Sequence, residues 1–507
     1  MGIPCNRSKG RVLLRSLGLL ALLLAGQQAA QADDRPNILF IVIDDLNNDL
    51  GAYGHDLVQS PNIDRLAAGG VRYERAYSQS PLCTPSRSSF LTGLYPDQTG
   101  IIAHGSHTRL TPHFRDHIPG VTTLPQLFRE KGWFSARVGK IYHQGVPSQI
   151  GTPGADDPAS WDVTINPIGI DKLDESGIQS WNQDAVERRS FGGTLSWQAV
   201  GDDEDHTDYR VASGAIALMS EHHPAKTGKP FFLGVGFYRP HTPFVAPQKY
   251  FDLYPLEDIR PYIMPANDRN DIPKIGLTDR RGQLGLTVAQ RKVVIQAYYA
   301  AISFMDAQVG RVLGALDELG LADNTIVVFV SDHGYELGQH GLWQKGSLFE
   351  GSARIPMIIR APGMKAAGKA AGSPVEMVDI YRTLTDLAGI EAPDYVIGRS
   401  LGPTLDDADA VVRTSALSSI LSRVKGSEGQ FAFHKIRGHS IRTERYRYTE
   451  WGGGLYGAEL YDHENDPEEL SNLADKTSLE GVRIKLKWML DDRVAEASSR
   501  VRSVSTN

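Results

Sequence analysis

Residues 37–45 read Asn37-Ile38-Leu39-Phe40-Ile41-Val42-Ile43-Asp44-Asp45, a run of apolar, largely β-branched side chains that stops at two carboxylates. Alternating polarity would mark a strand with one wet face. An uninterrupted run marks a strand covered on both faces, as in a parallel sheet flanked by helices. Two other stretches have the same character, Phe231 to Gly236 (FFLGVG) and Thr325 to Val330 (TIVVFV). Between them, Thr207 to Glu221 and Val288 to Gly320 carry apolar residues at helical spacing; in the second, Val293, Ala297, Ala300, Phe304, Ala307 and Val312 recur. Strands alternating with long helices predict an α/β sandwich around a mixed, mostly parallel central sheet. Each apolar run gives way to polar residues: Asp44-Asp45, Arg239-Pro240-His241 and Asp332-His333. Ligands of open α/β sheets bind beyond the carboxyl ends of strands, so three distant points of the chain are expected to converge on one site.

Working outward, the 507 residues hold 53 Lys+Arg against 60 Asp+Glu, a net charge of −7, with 41% hydrophobic residues, 51 Gly and 28 Pro. That composition excludes disordered, collagenous and coiled-coil chains. The mild negative charge and the absence of Lys/Arg blocks exclude a nucleic-acid partner. At the N-terminus, Lys9, Arg11 and Arg15 precede an apolar stretch from Leu17 to Ala25 and the small-residue signal Ala30-Gln31-Ala32. This predicts a signal peptide over residues 1–32 of a periplasmic or secreted protein, with the mature chain starting near Asp33. No other stretch reaches the ~18 apolar residues of a membrane helix. Residues 145–205, rich in Gly, Pro, Trp and Asp, read as a long insertion over the site. Beyond Val411 the pattern changes to alternation over His439 to Trp451, a Gly-rich turn at 452–454 and a further run at Ala458 to Tyr461. An antiparallel hairpin and a closing helix around Leu479 to Ala497 are expected there. The predicted organisation is a catalytic domain over 33–411 and a smaller α+β subdomain over 412–507 that caps the substrate.

Once the signal peptide and its Cys5 are removed, Cys83 is the sole cysteine. A single thiol in an oxidising compartment has no internal disulfide partner, which points to chemistry at Cys83. It precedes Thr84-Pro85-Ser86-Arg87, a turn and helix start that would set a positive charge beside it. Asp44, Asp45 and Asp332 would repel one another at adjacent strand ends unless a cation neutralises them, and an all-oxygen set suits Ca²⁺ or Mg²⁺. Zinc is disfavoured by the lack of an HExxH or paired-thiolate pattern.

Cys83-x-Pro85-Ser86-Arg87 with Leu91-Thr92-Gly93 resembles the signature of the type I sulfatases. The resemblance extends through PNILFIVIDD (36–45), VGKIYH (138–143), YRPHTPF (238–244), SDHGYELGQHGLWQK (331–345) and ELYDHENDPEELSNLA (459–474), and is strongest toward the iduronate-type branch. It implies an alkaline-phosphatase-like fold and conversion of Cys83 to Cα-formylglycine by a formylglycine-generating or sulfatase-maturating enzyme. It also implies a metal, Ca²⁺ or Mg²⁺, held by Asp44, Asp45, Asp332, His333 and residue 83. One hydroxyl of the hydrated aldehyde would attack sulfur, and deprotonation of the other by His143 would expel sulfate. Arg87, Lys140 and Lys345 would hold the sulfate, and His241 would bind it and protonate the leaving oxygen. Within His434 to Arg442, Lys435 would pair with the carboxylate of a uronic acid, which makes a 2-O-sulfated uronic acid or another sulfated carbohydrate the expected substrate, cleaved from a chain end. Two other readings share these residues. One is a phosphate or phosphonate ester hydrolase, and the other is a catalytically silent protein that binds sulfated glycans.

Overall fold

The computed structural model describes residues 1–4, 34–104, 112–182, 186–187, 190–279, 283, 285–425 and 433–499. The features of the expected signal peptide lie outside the described residues. The core is a sheet of eight strands: β1 Asn37–Asp44, β2 Val71–Tyr73, β3 Phe134–Gly139, β4 Val163–Ile165, β5 Phe231–Pro240, β6 Thr325–Ser331, β7 Met357–Arg360 and β8 Ala370–Ala371. Their spatial order is β8-β2-β7-β6-β1-β5-β3-β4, and β7 alone runs against its neighbours. The fold is the mixed, mostly parallel sandwich that the apolar runs predict, of the alkaline-phosphatase-like type.

β1 shows why its sequence does not alternate. Leu39, Ile41 and Ile43 face one hydrophobic cluster, with residues of helices Thr207–Glu221 and Val288–Glu318. Ile38, Phe40 and Val42 face the other, with Phe90 and Leu91 of Cys83–Thr92 and Ile380 and Leu384 of Asp379–Leu387. All six are fully buried. At about 1.5–3 kcal/mol per buried large apolar side chain, either face alone would hold the strand in place.

Residues 145–205 depart from the expected loop. They contribute the edge strand β4 and, with Phe244–Ala246, a small sheet of Gln179–Ser180 and Ser196–Ala199. These pieces are too short to register as periodicity. The expected C-terminal hairpin is a four-stranded antiparallel sheet, β9 Ala416–Lys425, β10 Phe433–Arg442, β11 Tyr446–Trp451 and β12 Ala458–Asp462. The run from His439 to Trp451 is broken at 443–445, where Thr443 N donates to Tyr446 O at 2.8 Å and turns the chain back. Helix Glu480–Ser498 packs on this sheet through Leu486 and Leu490. Strand β9 is stitched to the core just before Cys83, with Ser419 N donating to Gln79 O at 2.9 Å and Ser418 Oγ to Ser78 O at 2.5 Å. Among the described residues no helix is long and apolar enough to cross a membrane.

Candidate active site

The carboxyl ends of β1, β3, β5 and β6 meet at one point, and each delivers its functional residue by a local device. β1 ends in Asp44, and Asp45 then takes a left-handed backbone (φ 65°), a conformation Asp tolerates better than most residues. Tyr298 supports that turn: its hydroxyl donates to Asp45 O at 2.8 Å and accepts from Asn47 N at 2.9 Å. At β3, Gly139 has φ 75°, and a Cβ there would lie 2.2 Å from Gly236 O, so only glycine lets the chain turn Lys140 inward. Cys83 opens its helix, and His241 follows β5 between the cis prolyl bonds Arg239–Pro240 and Thr242–Pro243.

Lys140 Nζ donates to Asp44 Oδ2 at 2.6 Å. Lys345 Nζ donates to Asp45 Oδ1 and lies 3.1 Å from Cys83 Sγ. His333 Nε2 is 3.2 Å from the same sulfur and 3.3 Å from Asp45 Oδ1. Its Nδ1 donates to Gly334 O at 2.8 Å; burial disfavours the charged ring, but Asp332 raises it to about 9, so Nε2 also carries a proton here and would offer a lone pair only when a cation displaces that proton. His241 is set in the same way, with Nδ1 2.6 Å from Thr242 O and Nε2 3.7 Å from Asp45 Oδ2. Arg87 departs from the sulfate-holding arrangement. Its Nε donates to Asp332 Oδ2 at 2.9 Å, Nη2 to Asp44 Oδ1 at 3.2 Å, and Nη1 to the carbonyls of Lys140 and Ile141 at 2.6 and 3.0 Å. The guanidinium braces two carboxylates and the Lys140 turn.

The charges are nearly all out of water. Burial pushes the Asp45 carboxyl up to about 7 against the pull of Lys345, and Asp332 up to about 6 against His333 and Arg87. Burial acts the same way on Asp44, but Lys140 outweighs it and holds that carboxyl below its ordinary range. Cys83 would also be raised by burial, yet Lys345, Lys140 and His333 bring the thiol far below its usual value. Burial lowers His143 to about 4, leaving a neutral imidazole. Among the described residues, Asp45 Oδ2 is buried without a hydrogen-bond partner. Ligand atoms of Asp45, Cys83 and His333, of Asp44, Cys83 and Asp332, and of Asp44, Asp45 and His241 lie within 4.8 Å of one another in each set. Closely spaced carboxylate oxygens, one of them unpartnered, fit a hard divalent cation.

Residues 36–390 match the sulfatase family. The chain belongs to that family. Residues 338–496 also match the C-terminal region described for N-sulphoglucosamine sulphohydrolase. This sulfatase is 31% identical to a sulfatase of Formosa agariphila over 92% of its own length and 88% of the relative's. It is also 31% identical to iduronate 2-sulfatase of Mus musculus, over 94% of its length and 98% of the relative's. Its fold superposes on a phosphonate monoester hydrolase of Agrobacterium radiobacter with a TM-score of 0.73 at 24% identity, over 91% of this chain and 96% of that one. A 2-O GAG sulfatase gives 0.69 at 24% identity, over 92% and 93%.

Lys435 stands apart from the cluster, exposed on β10 opposite Arg423. The ribbon passes the Cys83 turn at Ile420, which packs with Leu82 and Leu348, and Lys435 lies about 10 Å further along it at ~3.3 Å per residue. Three contributors carry no sequence signal: Tyr298, Ser78 (which donates to Asp332 O at 3.0 Å) and His104, whose Nδ1 lies 2.7 Å from Thr84 Oγ1.

Proposed function

We propose that this sulfatase hydrolyses sulfate esters of carbohydrates, with residue 83 matured to Cα-formylglycine and one cation, Ca²⁺ or alternatively Mg²⁺, held by Asp44, Asp45, Asp332 and His333 beside it. The observation that carries the reading is the position of Cys83 Sγ, 3.1 Å from Lys345 Nζ and 3.2 Å from His333 Nε2, beside Asp45, whose carboxyl burial raises to about 7 and whose Oδ2 has no hydrogen-bond partner among the described residues. In the mature protein the aldehyde hydrate and the cation would together supply an activated oxygen nucleophile for sulfur and a second hydroxyl able to release sulfate on losing its proton.

The chain's own residues account for the rest. Lys140 and Lys345 hold the sulfate oxygens, and their low-dielectric setting strengthens that attraction. His241, anchored through Nδ1, presents Nε2 to the leaving oxygen; burial holds the free ring neutral, so it would supply that oxygen's proton only after the anionic substrate has drawn a second proton onto Nε2. His143, kept neutral by burial and with a buried Nδ1 that has no partner among the described residues, would take the proton whose loss releases sulfate. Arg87 holds Asp44 and Asp332 at the spacing a cation needs. A 2-O-sulfated uronic acid at a chain end is the favoured substrate, in keeping with the likeness to iduronate 2-sulfatase over most of both chains. Lys435 would meet its carboxylate, with residues 412–507 capping a catalytic domain over 33–411. The protein would be exported and matured by a formylglycine-generating or sulfatase-maturating enzyme. Comparison of kcat/KM for the sulfate and phosphate esters of one aryl alcohol tests the reading. Preference for sulfate is expected; preference for phosphate, or no turnover of either, overturns it.

A further inference from the structure

The side chains at the floor of the site are sealed from solvent: Cys83 is 1% exposed, Lys140 0%, His241 5% and Lys345 7%. Two members of the group around residue 83 are only half-buried, His143 and His104. Their rings lie 5.1 Å apart, tilted by 37°. These imidazoles therefore flank the opening of the pocket. A sulfate ester with its sulfur against residue 83 and its oxygens among Lys140 and Lys345 would place its alcohol toward that opening.

His104 does not wander there. Thr84, buried in the first turn of the helix that carries Cys83, fixes the ring through the 2.7 Å contact between Oγ1 and Nδ1. The ring is therefore registered to the same helical turn as the reacting atom. An imidazole so placed can exchange hydrogen bonds with neutral hydroxyls, whereas the sulfate is already served by the ammonium groups below.

We infer that His104 is a substrate-contacting residue that hydrogen-bonds the alcohol portion of the ester at the pocket mouth and sets which alcohols are accepted, with Thr84 as its positioning residue. The inference rests on the sulfatase reading and deepens it. A sugar carries hydroxyls beside the ester oxygen that His104 can bind, and a simple aryl sulfate carries none. The role therefore predicts a change in discrimination between them, which a loss of structure would not produce.

The test measures kcat/KM on a 2-O-sulfated uronide and on 4-nitrophenyl sulfate for wild type, His104→Ala, His104→Gln and Thr84→Val. In His104→Ala the preference for the uronide over the aryl ester should fall about 3–10-fold, the worth of one hydrogen bond. His104→Gln, which keeps a polar group near the outer ring nitrogen, should recover part of it. Thr84→Val should lose part of it, mainly through KM. Equal falls on both substrates, or an unchanged ratio, overturn the inference. A wild type that cleaves the aryl ester alone leaves the sulfatase reading standing and overturns this inference. A wild type that cleaves neither overturns both.

Discussion

Two buried charge clusters in this molecule look alike in composition and differ in completeness. At the junction with the C-terminal sheet, Glu376 and Asp379 face Arg413 and Arg493, and every carboxylate oxygen is engaged. Arg413 Nε donates to Asp379 at 2.9 and 2.8 Å, Arg493 Nη2 to Glu376 at 2.9 and 3.1 Å, Tyr95 OH to Glu376 at 2.7 Å and Leu417 N to Glu376 at 2.6 Å. Although burial works against it, Arg413 and Arg493 hold the Glu376 carboxyl below its ordinary range. At the strand ends, by contrast, burial pushes Asp45 and Asp332 up to about 7 and 6, and Asp45 Oδ2 has no hydrogen-bond partner among the described residues. The first cluster leaves no carboxylate oxygen unengaged and holds two parts of the chain together. The second is left open, as a site that receives a cation and an anionic substrate must be. Buried ion pairs cost desolvation, so an incomplete one is kept for function rather than stability.

The contrast can be broken by variants that should fail in opposite ways. Cys83→Ala should reduce kcat by at least ~10³-fold, as removal of a nucleophile does, while the melting temperature stays within a few degrees of wild type. Arg413→Met should do the reverse, lowering stability in a denaturant titration by about 3–5 kcal/mol because Glu376 and Asp379 are left buried without it. The folded fraction should keep its kcat. Asp45→Asn sharpens the comparison further. Calorimetric Ca²⁺ affinity should fall at least ~10-fold, whereas the metal-free protein should lose less stability than Arg413→Met does, since burial already disfavours the Asp45 charge and Lys345 keeps Cys83 Sγ at 3.1 Å as a partner.

The smallest effect concerns Glu459, which accepts from Trp451 Nε1 at 2.7 Å and Tyr461 OH at 2.9 Å and is nevertheless raised by burial from 4.5 to about 7. The folded protein thus holds a proton there that the unfolded chain gives up. Between pH 4.5 and about 7 stability should fall as pH rises, by on the order of 1 kcal/mol. Glu459→Gln should flatten that slope in melting curves taken across the range. An unchanged slope would mean that Glu459 stays ionised in the fold.

The strands that decide the fold were legible because nothing but two-sided burial explains runs such as Asn37 to Ile43, and the polar residues after them marked the site. The strands β2, β7 and β8 on one side of the sheet, of two to four residues, are too short to show a period, and their place depends on partners far away in the chain. Asp44, Asp45, Asp332 and His333 could be grouped from strand-end logic alone, but the roles of Lys140 and Lys345 came only from their motifs, since a lone lysine carries no signal of burial. Arg87 was legible as a cation beside Cys83 but not as a brace, because that depends on carbonyls at 140–141 delivered by another strand. His104 was invisible: one histidine in a stretch without periodicity, meaningful only once Thr84 and His143 stand beside it.

The most direct test of the account is the mass of the peptide carrying residue 83, taken from enzyme purified in a form that hydrolyses a sulfate ester. The account predicts that the thiol carbon has become an aldehyde, with sulfur replaced by oxygen, in a fraction that tracks specific activity from one preparation to another. Fully active enzyme whose Cys83 retains its sulfur would contradict it.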